Sequence, residues 1–168
     1  MINLKIPTSN SYIENLNPGN QLLISGTIYT GRDAVLPKIA NLIDEGRENE
    51  IPFDLEGIAI MHTAVSDAGI ATTTSNKEEI ESSIPILSKA GVKVHIGKGS
   101  LSHDTIAKLN KENSIFVISP PVAALLTNCV KSKEIVMFEE EGIEAIFKLK
   151  VVDIPGIVAI ANGRSIFY

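Results

Sequence analysis

Residues 21–43 decide the fold: Gln21-Leu22-Leu23-Ile24-Ser25-Gly26-Thr27-Ile28-Tyr29-Thr30, then Gly31-Arg32-Asp33, then Ala34-Val35-Leu36-Pro37-Lys38-Ile39-Ala40-Asn41-Leu42-Ile43. The first ten residues form an aliphatic, β-branched run, which reads as a strand. Leu36, Ile39, Leu42 and Ile43 then recur at helical spacing, and Gly46 fits the end of that helix. Pro37 is tolerated only in the first turn, so the helix is predicted to begin near Asp33. Gly26 inside the run predicts a bulge or a close backbone approach. Upstream, Asn17-Pro18-Gly19-Asn20 is a turn, since Pro fixes φ and Gly supplies the left-handed position.

The same alternation continues outward. Residues 2–6 alternate as a first strand, residues 57–61 read as a buried strand, and residues 62–75 are polar without periodicity. A second helix is predicted with Asn76 as cap and Glu79 three residues on, burying Ile80, Ile84 and Leu87 and stopping at Gly91. Pro85 predicts a kink or break in it. Val92, Val94 and Ile96 form a short strand, Ile106 and Leu109 mark a short helix, and residues 115–118 form a strand stopped by Pro120-Pro121. A helix through residues 123–130 and three strands over 135–138, 146–152 and 157–160 complete the chain. Strands alternating with helices up to about residue 138 argue α/β with a largely parallel sheet, and the β-rich tail adds a smaller antiparallel part.

The 168 residues suggest a single domain over 1–168, long enough to fold without a disulfide or metal staple. Hydrophobic residues make up 44% and charged ones 21%, a globular balance that argues against disorder and coiled coil. Aromatics are only 5% and there is no Trp, so the core is aliphatic. The net charge of −5 argues against sequence-independent binding to nucleic acid. No basic start with an apolar h-region, and no apolar run near 18 residues, is present, so the expectation is a cytoplasmic protein outside the membrane. A single cysteine, Cys129, excludes an internal disulfide, an all-Cys zinc site and an iron–sulfur cluster held by this chain alone. Its neighbours Leu125, Leu126 and Val130 make it a small buried hydrophobe rather than a nucleophile.

Two motifs at strand ends carry candidate chemistry. In Tyr29-Thr30-Gly31-Arg32-Asp33, an Arg at a sharp strand-to-helix exit can grip a carboxylate or phosphate with two parallel hydrogen bonds, beside a helix N-terminus. A plainer reading makes Asp33 an N-cap and Arg32 a surface residue. In Gly97-Lys98-Gly99, the glycines allow the backbone to approach a ligand and Lys98 adds a point charge, the alternative being an ordinary turn. A nucleotide P-loop is excluded: five residues separate Gly91 from Gly97 where four are needed, and Gly99 stands where Ser or Thr is needed. Between the motifs, Thr72-Thr73-Thr74-Ser75-Asn76 is a hydroxyl cluster at a helix start, suited to ligand contact or to redundant capping. His62, His95 and His103 have no metal-ligand spacing, and His95 is expected on the surface.

Taken together, Gly26-Thr27-Ile28-Tyr29-Thr30-Gly31-Arg32-Asp33-Ala34, then Thr73-Thr74-Ser75, then Ile96-Gly97-Lys98-Gly99, resemble the β-subunit family of class I fumarate hydratases and L-tartrate dehydratases. Glu141-Gly142-Ile143-Glu144-Ala145, Val152-Asp153-Ile154-Pro155 and Asn162-Gly163 look alike too, so the resemblance runs from about residue 20 to the end. It implies a swivelling β/β/α three-layer domain and reversible addition of water across the double bond of a dicarboxylate. It also implies a [4Fe–4S] cluster, which would be held by a separate, cysteine-rich α subunit in a hetero- or homo-oligomer, with the active site between the chains. Carried over residue by residue, Arg32, Lys98 and Lys77 would bind substrate carboxylates with Gly97 and Gly99 around them. Thr73 and Thr74 would be catalytic, in proton transfer, and Asp33 structural.

The sequence departs from the family pattern in three places. Leu36 stands where a His usually follows Arg-Asp-Ala-Ala, Ala71-Thr72 replaces a Gly-Pro, and Lys77 replaces an Arg, keeping charge but losing the bidentate fork. The expected activity is fumarate-to-malate hydration as a β subunit. The alternatives are dehydration of tartrate or another 2-hydroxy dicarboxylate, and a non-catalytic binding module of the same fold.

Overall fold

A computed structural model describes the whole chain except Thr72 and residues 74–76, together with the side chain of Glu79. The predicted roles of Thr74 and of the Asn76–Glu79 cap lie outside the described residues.

The parallel core begins with β1 (Ile2–Ile6) and β2 (Gln21–Gly31), with the short helix α1 (Asn10–Ile13) between them. Helix α2 (Leu36–Asp44) leads to β3 (Ala59–His62), and a two-stranded antiparallel hairpin follows, β4 (Val65–Ser66) with β5 (Gly69–Ile70). Helix α3 (Lys77–Lys89), β6 (Val94–Gly97), α4 (His103–Lys111) and β7 (Ile115–Ile118) repeat the α/β pattern. The tail is α5 (Ala123–Asn128), β8 (Val130–Met137), a 3-10 turn (Glu139–Glu144), β9 (Ile146–Ala161) and β10 (Arg164–Ser165). No helix among the described residues is long and apolar enough to cross a membrane.

Strands β1, β2, β3, β6 and β7 pair in parallel, and β9 pairs antiparallel with β2, β7, β8 and β10. The expected mixed α/β architecture is therefore present, a large sheet with a parallel centre and a small separate antiparallel hairpin. Because β9 reaches both β2 and β7, the pairings β2–β3–β6–β7–β9–β2 close on themselves. Side chains alternate across each strand. Leu22, Ile24, Ile28, Met61, Ile96 and Val117 share one cluster with Leu149 and Val158 of β9. The opposite faces are covered by helices: Tyr29 and Ile60 pack with Leu36, Ile39 and Leu87, and Phe116 packs with Ile80, Ile84 and Leu109.

Several expectations need correction. Helix α2 starts at Leu36, not near Asp33, and its N-cap is Val35 without a side-chain cap bond, so Asp33 is not the cap. The Arg32 carbonyl instead accepts from the N–H groups of Val35 and Leu36, which spends residues 33–35 on a turn. The two expected strands over 146–152 and 157–160 are one strand, β9. Val152 and Asp153 form its bulge, two residues opposite Ser25, whose Oγ accepts from the Asp153 N–H at 2.9 Å. The bulge is therefore on β9, while Gly26 marks the close approach: at φ +120 its Cβ would stand 2.2 Å from the Ile6 carbonyl oxygen. The 62–75 stretch contains the β4–β5 hairpin, whose two-residue strands are too short to show a period. Helix α3 passes through Pro85 without a break. Only the Glu81 carbonyl loses an N–H donor there, while Ile84 and Leu87 on either side are fully buried.

Candidate functional site

Register places the C-terminal ends of four parallel strands in one row. Gly31 pairs with His62, Met61 with Ile96, and Gly97 with Ile118. The residues that leave this row are Arg32, Thr63, Lys98 and Ser119. Adjacent strands lie about 4.8 Å apart, so the backbones at Arg32 and Lys98 are about 10 Å apart with β3 between them. Two long cationic side chains rooted at that separation can converge on one small dianion. The C-terminal edge of parallel strands is also where α/β sheets commonly place ligands.

Thr73 is tied to the same edge. The Thr63 hydroxyl donates to the Ala71 carbonyl at 2.7 Å, and the Ala71 N–H donates to Ala64 at 3.0 Å. That fixes the loop two residues before Thr73, which is buried at 5% exposure. Lys77 opens α3 and is exposed. Lys98 is exposed, and among the described residues it has no hydrogen bond or ion pair. Arg32, Gly97 and Lys98 are thus brought to one edge, with the buried Thr73 two residues beyond the anchored Ala71, while Thr74 lies outside the described residues. Gly97 is required by packing, because a Cβ there would stand 2.9 Å from the Phe116 ring; Gly99 is required by its backbone, at φ +85 in open space.

Arg32 forms an ion pair with Glu144, Nε to Oε1 at 3.3 Å. The same oxygen accepts from the Ala34 N–H at 3.3 Å. Next to this pair, His62 lines a small recess with Arg32, Asp33, Leu36, Ile80 and Ser83. His62 is buried, and neither ring nitrogen has a hydrogen-bond partner among the described residues. Burial pushes its pKa down to about 4 despite the opposing charge of Asp33.

His95 is not on the surface as expected. It is fully buried under α3, with Nε2 bonded to Ser88 Oγ at 2.8 Å and its ring 5.8 Å from that of His62. Desolvation, and then the neighbouring His62, hold its pKa well below the ordinary value. Strand alternation put His95 opposite Val94 and Ile96, but that face is covered by a helix rather than water.

Sequence reasoning did not assign a site role to Glu144 or His62. The signal for Glu144 was the Glu141-Gly142-Ile143-Glu144-Ala145 segment, which carried resemblance but no chemistry. For His62 there was none beyond its place at a strand end. A groove of about 490 Å³ adjoins the row, lined in part by Ala64, Gly69, Ala71, Ala124, Thr127 and Ile143.

Cys129 is buried, as expected. Its Sγ contacts the Leu125 carbonyl at 3.4 Å and the Asp153 carbonyl at 3.5 Å, and burial pushes the thiol pKa up. A thiol so placed does not fit a cluster ligand, which must be a thiolate.

The family model described as "Fumarase C-terminus" matches residues 1–168. A similar protein of Escherichia coli is "Fumarate hydratase class I, anaerobic", 28% identical over 88% of this chain and 28% of its own length. Another, of Methanocaldococcus jannaschii, bears the name "Putative L(+)-tartrate dehydratase subunit beta" and is 28% identical over 92% of this chain and 85% of its own length. The chain thus spans under a third of the fumarate hydratase but most of the tartrate dehydratase subunit.

Proposed function

Because the chain belongs to the Fumarase C-terminus family, we propose that it is the β subunit of a fumarase-like hydro-lyase that adds water reversibly to fumarate to give malate. The observation that carries this reading is the placement of Arg32 and Lys98 two strands apart on one edge, with the Thr73 loop anchored between them. A dicarboxylate carries two negative charges at neutral pH, and each charge-assisted hydrogen bond to it contributes on the order of 1.5–3 kcal/mol. Arg32 would meet one carboxylate and Lys98 the other. Lys77, exposed at the N-terminus of α3, would supply a third cation.

Thr73 would hold or pass the proton lost from carbon as water leaves. A neutral hydroxyl is a weak base, so this step needs an activating group on the partner. The [4Fe–4S] cluster that the family implies does not fit this chain, whose one thiol is buried against backbone carbonyls. The reading therefore assigns the cluster to a cysteine-rich α subunit and leaves to this chain the binding and orientation of substrate. The family's swivelling three-layer domain would then turn the strand-end row toward that partner.

Dehydration of tartrate is the second reading, favoured by the 85% of the tartrate dehydratase subunit that this chain spans. The test is anaerobic reconstitution with the α subunit and assay on malate, fumarate and tartrate. Lys98→Ala should abolish turnover of the preferred substrate while leaving the melting temperature unchanged, because the side chain is exposed. Undiminished turnover by that variant would refute the assignment, and the substrate that turns over fastest separates the two readings.

A further inference from the structure

The Glu139–Glu144 turn joins β8 to β9 and lies against the segment that leaves β2. Three contacts stitch the two together: Glu144 to Arg32, Glu144 to the Ala34 N–H, and Lys38 Nζ donating to Glu141 Oε1 at 2.8 Å. The Lys38 ammonium also stands 5.1 Å from the Phe138 ring centre. The turn owes its shape to two left-handed positions, Phe138 at φ 59 and Gly142 at φ 60. Immediately after Glu144, Ala145 is fully buried in the core, so the carboxylate has a fixed root.

At 30% and 27% exposure the Arg32 and Glu144 side chains are wet enough that their pairing contributes little to stability. Its consequence is directional. The closest approach is Nε to Oε1, an ion pair rather than a hydrogen bond, and among the described residues nothing else pairs with the guanidinium. A planar guanidinium drawn toward a carboxylate on its Nε side turns its two Nη groups away from that carboxylate, and that is the edge that grips a second carboxylate bidentately.

We infer that Glu144 is a positioning residue, which holds the Arg32 guanidinium by Nε so that its Nη edge is preset for a substrate carboxylate. This deepens the functional reading above and rests on it for the identity of the ligand. Glu144 itself touches no reacting atom; it acts through Arg32. It also gives the Glu-Gly-Ile-Glu-Ala segment a physical task, since Gly142 allows the bend and Ala145 anchors it.

Two measurements on Glu144→Ala and Glu144→Gln test this. In the reconstituted complex with malate, Glu144→Ala should raise KM about tenfold with kcat reduced less than threefold, the pattern of lost carboxylate binding. Glu144→Gln, which keeps an acceptor for Ala34 and Arg32, should recover much of that loss. In the full chain alone, NMR of the Arg32 Nε proton should show solvent exchange at least about fivefold faster in Glu144→Ala, because the pairing carboxylate is gone. Unchanged KM, or a fall in kcat alone, overturns the positioning role. Unchanged Nε exchange overturns the pairing. A wild-type complex that turns over no dicarboxylate would sink the functional reading separately, with the exchange experiment still deciding what holds Arg32.

Discussion

Acid should destabilise this fold well before its carboxylates titrate, because two imidazoles are buried. His62 is pushed from 6.5 to about 4 by desolvation, and His95 is shifted in the same direction. For a base whose folded pKa lies below its unfolded one, the unfolded chain binds more protons in between. Stability is therefore complete above pH 6.5 and lost as pH falls toward 4. At about 1.36 kcal/mol per pKa unit, His62 alone accounts for about 3 kcal/mol over the whole window, and about 2 kcal/mol of it between pH 7.5 and 5. His95 adds to this with the same sign. For Glu81, burial pushes the pKa up, but the bonds from Ser102 and Thr105 prevail and the net shift is downward, so its carboxyl stays out of the window. The assay is urea unfolding at pH 7.5, 6.5, 5.5 and 5, with constant m value as the check on two-state behaviour. His62→Phe, which fills the space without titrating, should flatten the dependence by about 2 kcal/mol. A wild-type loss below about 0.5 kcal/mol, or an undiminished slope in His62→Phe, would refute burial of a neutral ring.

Gly26→Ala should destabilise the chain by about 3 kcal/mol or more in urea, since the new Cβ meets the Ile6 carbonyl oxygen and the φ of +120 suits only glycine; a change below about 1 kcal/mol would contradict the parallel contact of β1 with β2. The purified chain alone, prepared anaerobically, should carry no stoichiometric iron and should not turn over malate, as checked by iron assay and by absorbance of the unsaturated product. Stoichiometric iron on the lone subunit would overturn the assignment of the cluster to a partner.

Much of the parallel half was legible because its signals are local. The run of residues 21–30, the stripe of Ile80, Ile84 and Leu87, and the block of residues 115–118 each announce their period, and each is found where periodicity puts it. What was not legible depends on partners distant in sequence. The unity of β9 is hidden by Asp153 and Pro155, which look like a break until Ser25 caps the bulge from β2. His95 alternates correctly, yet whether its face meets water or α3 is a tertiary fact. At the candidate site, Arg32 and Lys98 were visible as strand-end cations, but Glu144 lies 110 residues from the Ala34 it bonds, a separation no local spacing reveals.

The closing strand has a consequence for how the chain is made. Residues 146–161 supply an edge to β2, β7 and β8, so these earlier strands wait with open flanks until β9 has left the ribosome. Until then β2 offers an unpaired, aliphatic ladder along residues that later contact Leu149 and Ile154. An aliphatic edge of that kind is open to pairing with other chains for as long as β9 is absent.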